Sequence, residues 1–183
     1  MLAYSAIAHT AYFSVGLLDA GNADFQIAFY YYLVFYLLLT LTSFTAILKL
    51  ENPKSHTIDI DSLSGLSQRS GFLAAVITIC MLALSGLPPI LFGLISKIYV
   101  IKAALTGDHI GLAVCLLIGA LIGCCYYFKI IAKIYSDAEG DSSVLKLSRC
   151  DVITMSLLVL TILYYSVFPG RLHSFLSKLI LGA

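Results

Sequence analysis

GFLAAVITICMLALSGLPPILFGLISKIYVIKAAL, residues Gly71 to Leu105, decides the fold. A helix crosses the hydrocarbon core of a bilayer, about 30 Å, in around 20 residues. These 35 residues are too many for one straight span and have no polar stretch that would divide them into two. Near the middle stand Pro88 and Pro89, with Gly93 just beyond. A proline lacks a backbone N–H, and its ring clashes with the preceding turn. The stretch therefore predicts two half-helices with a break around Ser85–Gly93. Unwound backbone at membrane depth survives only where protein buries it or where it lines a cavity. Broken helices of this kind mark ion sites in transporters. The plainer alternative is a proline kink in a continuous helix.

Outward from this stretch the chain repeats one theme. Residues 2–18 form a short, semi-polar span closed by Asp19, and residues 27–48 a second span between Asp24 and Lys49. A polar loop, Glu51 to Ser70, follows, with room for one short helix near Asp61 to Gln68. After the broken span come residues 110–135, a charged loop from Ser136 to Asp151, and a fifth span over 152–168 stopped by Pro169 and Gly170. Residues 172–181 read as an amphipathic tail with His173 and Lys178. The expected architecture is all-α: a single membrane domain over residues 1–183, a polytopic bundle of five transmembrane helices with the third discontinuous.

Composition agrees. Apolar residues make up 60% of the 183 and charged residues 11%, with mean hydropathy +0.97. A soluble domain carries about 25% charged residues. Net charge is +1, which gives a nucleic-acid partner no support. The five cysteines, Cys80, Cys115, Cys124, Cys125 and Cys150, contain no CxxC pair, and small packing residues are the simpler reading. No metal site and no cofactor site are expected in this chain. No basic n-region or arginine-rich leader precedes the first span, so no cleavable targeting peptide is visible. Basic residues set orientation. Lys49, Lys54, Arg69, Lys129, Lys133, Lys146 and Arg149 fall on one side; Lys102, Arg171 and Lys178 fall on the other. The first side is matrix or cytoplasmic. That places the N-terminus there and the C-terminus opposite.

Two basic groups stand within apolar runs. Lys97 precedes Asp108 by 11 residues, about 16 Å of helix, and His9 precedes Asp19 by ten, about 15 Å. A charged lysine at the bilayer centre costs about 2.5–3.5 kcal/mol on insertion scales. Desolvation disfavours its charged form, so such a lysine can take and release a proton as a neighbouring charge comes and goes. A structural pair with an acid is the bland alternative for Lys97. For His9 it is a hydrogen bond to a neighbouring helix. Tyr30, Tyr31 and Tyr32 read as an interfacial aromatic belt. Tyr4, Ser5, Thr10, Tyr12, Ser14, Tyr36, Thr40, Thr42, Thr45, Tyr126 and Tyr127 are further polar groups that could extend a wet path, although packing or bridging helices is the plainer reading for most of them. No phosphate-binding glycine loop, HExxH or nucleophile elbow occurs, so catalysis on a soluble substrate has no residues to carry it.

LAYSAIAH, Leu2 to His9, resembles the LAYSSIAH segment of the antiporter-like subunits of respiratory complex I. Gly86 to Pro89 and Leu91 to Tyr99 resemble the GIPPLAGFxSKFY stretch of that family. Gly65, Leu66 and Arg69 resemble its GLxxR stretch, and Phe168 to Gly170 a common ending of its subunit 2 (N) branch. A lysine at the broken-helix position also fits that branch. The departures are one extra residue between Pro89 and Lys97, Ala6 for a usual serine and Gly71 for a usual proline.

The resemblance covers the last five of the family's usual fourteen helices. It implies proton translocation coupled to NADH oxidation and ubiquinone reduction. The reaction is that of the whole oxidoreductase, with no redox cofactor in this chain. Lys97 would be the proton carrier of the second half-channel, with His9 on the connecting path and Pro88, Pro89 and Gly93 making the break. The implied partners are a separate chain carrying the N-terminal part of subunit 2, as from a split gene, other membrane-arm subunits, and lipid. That separate chain would cover the helix faces bearing Tyr4, His9 and the tyrosines of the second span. The implied location is the mitochondrial inner membrane, or alternatively the bacterial one. The rival functions are a subunit of a multisubunit cation/proton antiporter and a non-pumping structural remnant.

Overall fold

The computed structural model describes residues 2–16, 18, 21–50, 63–137 and 147–181. Among these residues there are eight α-helices and no strand: α1 Leu2–Gly16, α2 Ala23–Leu48, α3 Leu66–Arg69, α4 Gly71–Ser85, α5 Leu91–Thr106, α6 Ile110–Ile134, α7 Arg149–Val167 and α8 Pro169–Leu181. Three of them, α2, α6 and α7, are individually long and apolar enough to cross a membrane. α4 is a shorter apolar helix of 15 residues.

The 35-residue stretch is two helices. α4 stops at Ser85, and α5 starts at Leu91. Gly86 follows α4 with φ 79°, a left-handed value that glycine adopts without steric cost. Its amide donates to the carbonyls of Leu82 and Ala83. The non-helical segment, 86–90, falls inside the window that the prolines define.

Several boundaries move from their sequence positions. α2 begins at Ala23 rather than residue 27, because Asn22 caps it. The Asn22 side chain accepts from the Asp24 amide at 3.0 Å. Asp24, read as a flank, thus lies in the first turn, where the helix dipole favours a carboxylate. α7 begins at Arg149 rather than 152. Pro169 and Gly170 do not form a loop before the tail; Pro169 opens α8, a position where its missing N–H costs nothing. Of the loop from Glu51 to Ser70, residues 51–62 lie outside the described ones, and the short helix within it is α3, Leu66–Arg69. Asp19 and most of the loop from Ser136 to Asp151 also lie outside them.

α2 is the spine, touching α1, α4, α5, α7 and α8. Its fully buried Tyr31, Tyr32, Phe35 and Leu39 form the centre of the core. Phe92 of α5 meets Phe35 edge-on at 5.2 Å and Tyr31 at 5.6 Å between ring centroids. This corrects the aromatic-belt reading. Only Tyr30 is exposed, whereas Tyr31 and Tyr32 face inward. Three adjacent tyrosines cannot share a helix face, and the two that point at α1 and α5 are taken into the core.

The two charged connections share one end of the bundle. Lys49, after α2, pairs with Asp151 of α7 at 3.0 Å. Ser64, before α3, hydrogen-bonds Ser136, after α6, at 3.0 Å. At the other end, Asp24, Lys102 and His173 line one small cavity beneath α8. The pairing of loops by charge is therefore the pairing seen in space.

Candidate functional site

In an α-helix, the carbonyls of Leu84 and Ser85 would accept from the amides four residues on. Those positions are Pro88 and Pro89, which have none. Two carbonyls at the negative end of α4 are thus left without helical donors, inside the protein. The Lys97 ammonium fills the vacancy. Its Nζ donates to Leu84 O at 2.7 Å and to Ser85 O at 2.9 Å. Cys124 of α6 also donates to Ser85 O, at 3.4 Å. Among the described residues no carboxylate pairs with Lys97, whose relative exposure is 6%. The acid partner of the bland alternative is replaced here by backbone oxygens.

Two glycines make this contact possible. A Cβ on Gly93 would lie 1.8 Å from Ala83 O, so α5 rests its first turn directly on the backbone of α4. A Cβ on Gly86 would stand 3.2 Å from Lys97 Cδ and 3.3 Å from its Nζ. Ser96, next to Lys97, turns its hydroxyl back to Gly93 O at 2.9 Å.

His9 of α1 is buried at 4% exposure. Its Nδ1 meets the Tyr32 hydroxyl at 2.5 Å, and its Nε2 meets that of Tyr127 at 3.1 Å. The Tyr127 hydroxyl in turn meets Ser5 Oγ at 2.5 Å. Tyr12 stacks on Tyr32 at 5.0 Å and donates to Leu116 O of α6 at 2.8 Å. His9, Tyr12, Tyr127 and Lys97 all line one cavity of about 20 Å³, floored by Gly119 and Gly123 of α6. One water needs about 10–15 Å³ of such space and two to four polar partners, so the cavity can hold a single water.

The structure thus brings together the two ionisable residues singled out from the sequence, together with Pro88, Pro89 and Gly93. It adds Tyr32 and Tyr127 as direct partners of His9. Tyr127 was one of several polar candidates, and Tyr32 was assigned to the belt. The expectation that another chain covers the faces bearing His9 and the tyrosines of the second span fails for His9, Tyr31 and Tyr32. Other helices of this chain already cover them: α2 and α6 for His9, α1 for Tyr32 and α5 for Tyr31. The Tyr4 side chain lies outside the described residues. Among the described residues no group of three metal-ligating side chains occurs.

A helix broken at a proline pair, an ammonium on its freed carbonyls and a histidine across a small polar cavity define a helical membrane protein with ionisable groups in its core. The chain belongs to the family of NADH:quinone oxidoreductase/Mrp antiporter membrane subunits, whose model matches residues 1–123. It is 34% identical over 172 residues to NADH-quinone oxidoreductase subunit N of Methylovorus glucosotrophus, covering 94% of this chain and 35% of that protein. To subunit N of Bdellovibrio bacteriovorus it is 32% identical over 187 residues, covering 99% and 38%. The chain therefore spans little more than a third of these relatives. The fold is also that of a chain of respiratory complex I from Thermus thermophilus with bound aureothin, at TM-score 0.81 and 24% identity, over 94% of this chain and 38% of that one.

Proposed function

We propose that this chain is the second half-channel of a proton-translocating, antiporter-like subunit in the membrane arm of respiratory complex I. The observation that carries the reading is the Lys97 ammonium on the freed carbonyls of Leu84 and Ser85, in one cavity with His9. The carbonyls stabilise the loaded state, because a hydrogen bond to a charged group contributes about 1.5–3 kcal/mol. Two positive charges in so small a cavity repel, so a proton on Lys97 disfavours one on His9. Loading then alternates between them, through the water that the cavity can hold and the hydroxyls of Tyr127 and Tyr32. The tyrosines also fix the histidine ring, so the donor and acceptor atoms are in place before a proton arrives.

In this reading five spans cross the membrane: α1, α2, the broken pair α4–α5, α6 and α7. The N-terminus faces the matrix or cytoplasm, and α8 lies along the opposite interface. The bilayer is an inner, energy-transducing one, mitochondrial or bacterial. The remaining helices come from polypeptide corresponding to the first two-thirds of the subunit N relatives, alongside other membrane-arm subunits. Coupling to NADH oxidation and quinone reduction belongs to the whole assembly. The second reading, a subunit of a cation/proton antiporter, has the breadth of the family model in its favour. Co-purification in mild detergent with iron–sulfur and flavin subunits separates the two, and also shows whether the N-terminal part travels as its own chain.

The direct test is proton pumping per electron in vesicles, with assembly measured separately. Lys97→Ala should reduce pumping to background in an assembled complex. Lys97→Arg should do the same, because a guanidinium does not release its proton at accessible pH. Lys102→Ala should leave pumping unchanged, since that lysine is exposed near the end of α5 and can reach the interface. Full pumping by assembled Lys97→Ala would reduce the chain to a structural element.

A further inference from the structure

We propose that the hydroxyl of Tyr31 is the inner end of a hydrated release passage, which opens at the α8 end of the bundle through the cavity beneath α8. Tyr31 is fully buried, and among the described residues its hydroxyl has no hydrogen-bond partner. A buried hydroxyl left unpaired is costly, and nearly all such groups have a protein or water partner. The ring itself is well held by α5. Tyr99 crosses it at 4.8 Å between centroids and Phe92 at 5.6 Å. Neither ring contact satisfies the hydroxyl.

Position identifies the partner as water. A helical side chain leans toward the N-terminus of its helix. For Tyr31 that is the turn of Ile27 and, beyond it, Asp24. Both line the cavity of about 30 Å³ beneath α8, together with Tyr99, Ala103, Thr106 and His173. The contacts of α2 with α5 run antiparallel: Phe35 meets Phe92, Tyr31 meets Tyr99, and Asp24 and Ile27 share the cavity with Ala103 and Thr106. Tyr31 is thus the next rung inward from the cavity. At 10–15 Å³ each, about two waters fit there, with polar groups to hold them. Lys102 stands at the exposed rim, where its amine can reach the interface instead.

One rung further in, the polar lining stops. Phe35 and Phe92 are fully buried and meet at 5.2 Å, and Phe35 meets Tyr32, the partner of His9, at 5.6 Å. A layer of two rings therefore stands between Tyr31 and the His9 cluster, and the two cavities share no lining residue. Hydrophobic constrictions of this kind gate by dewetting. The division suits the proposed function, on which this inference rests, because a loading cavity joined directly to open water would leak. When the rings part, Tyr31 receives a proton from the inner cavity and gives its own to the water beside it, so the tyrosine ends unchanged.

The test is proton pumping per electron in vesicles holding the assembled complex, with assembly read on a native gel and Lys97→Ala run alongside. Tyr31→Phe keeps the ring and its packing and removes only the hydroxyl. It should assemble as the parent does and lose most of its pumping. A tyrosine that merely packs would tolerate the change, since it gives up no hydrogen bond within the protein. Ala103→Val, which fills the cavity and leaves Tyr31 in place, should reduce pumping as well. A map of the complex fine enough to show ordered water should place one within hydrogen-bonding distance of the Tyr31 hydroxyl. Normal pumping by assembled Tyr31→Phe would overturn the passage. If Lys97→Ala is then still inactive, the proposed function stands without it; if Lys97→Ala also pumps, both fall. A dry Tyr31 hydroxyl in such a map would overturn the passage by itself.

Discussion

Two junctions in this chain are written with proline, and they do opposite things. At the α4–α5 junction, Pro88 and Pro89 strip the donors from two carbonyls that the fold buries, and a lysine amine takes their place. At the α7–α8 junction, Pro169 follows Phe168, which is 51% exposed beside a Val167 that is 68% exposed. Phe168 still donates its own amide to Tyr164 O at 2.9 Å, and Val167 and Phe168 face outward, although Ser166 beside them is buried. The difference is burial. A proline at an exposed helix end is punctuation; a proline pair at a buried helix end creates a polar vacancy that some other side chain must fill.

The largest effect should come from closing the gap between the two half-helices. In Gly93→Val, the new Cβ would meet the Ala83 carbonyl, and backbone cannot step aside as a side chain would. Overpacking costs about 1–3 kcal/mol and sometimes more. Here it separates α4 from α5 and pulls Lys97 off its carbonyls. Assembled complex, read on a native gel, should be largely lost. If Gly93→Val assembles and pumps normally, α4 and α5 are not locked together, and the contrast between the junctions loses its basis.

A smaller effect is expected from Pro88→Ala/Pro89→Ala. The substitution restores two N–H donors at 88 and 89, which can compete with the Lys97 amine for Leu84 O and Ser85 O only where α4 extends past Gly86. Gly86, with its positive φ, still ends α4, so the break itself remains. Each displaced charge-assisted bond is worth about 1.5–3 kcal/mol. The complex should assemble, with pumping per electron reduced but not abolished. Unchanged pumping would mean that the prolines only shape the chain and do not prepare the site.

How much of this was legible in the sequence follows from the range of each interaction. The break at 86–90 was legible because a missing N–H acts on a carbonyl four residues back. The burial of Lys97 was legible because an isolated charge in 35 apolar residues has few other places to go. The plainer alternative gave it an acid as partner, and the answer, the carbonyls of Leu84 and Ser85, was implicit in the same prolines. Tyr32 and Tyr127 were not assignable to His9, since they lie 23 and 118 residues away and hydropathy does not say which way a tyrosine points. The start of α8 was misread because proline ends one helix and opens the next with the same chemistry.

The smallest effect should follow Pro169→Ala. Proline at this position keeps Phe168 out of the helical region, where its φ is −119° and ψ 61°. Alanine would lift that restriction and offer an amide to Tyr165 O, so α7 could run on into α8 as one rod. What opposes this is the seat of α8 on α2. Leu172 and Leu176 are each about 95% buried, and His173 stacks on Tyr99 with ring centroids 5.1 Å apart. Burying a leucine side chain contributes about 1.5–3 kcal/mol, so the two together outweigh a single restored hydrogen bond at about 1 kcal/mol. α8 should therefore stay where it is, with stability within about 0.5 kcal/mol of the parent and pumping unchanged. Thermal inactivation and pumping of the variant, measured beside Pro88→Ala/Pro89→Ala, decide the matter. If Pro169→Ala harms pumping as much as the double substitution does, burial is not what separates the two junctions, and α8 takes part in the proton path itself.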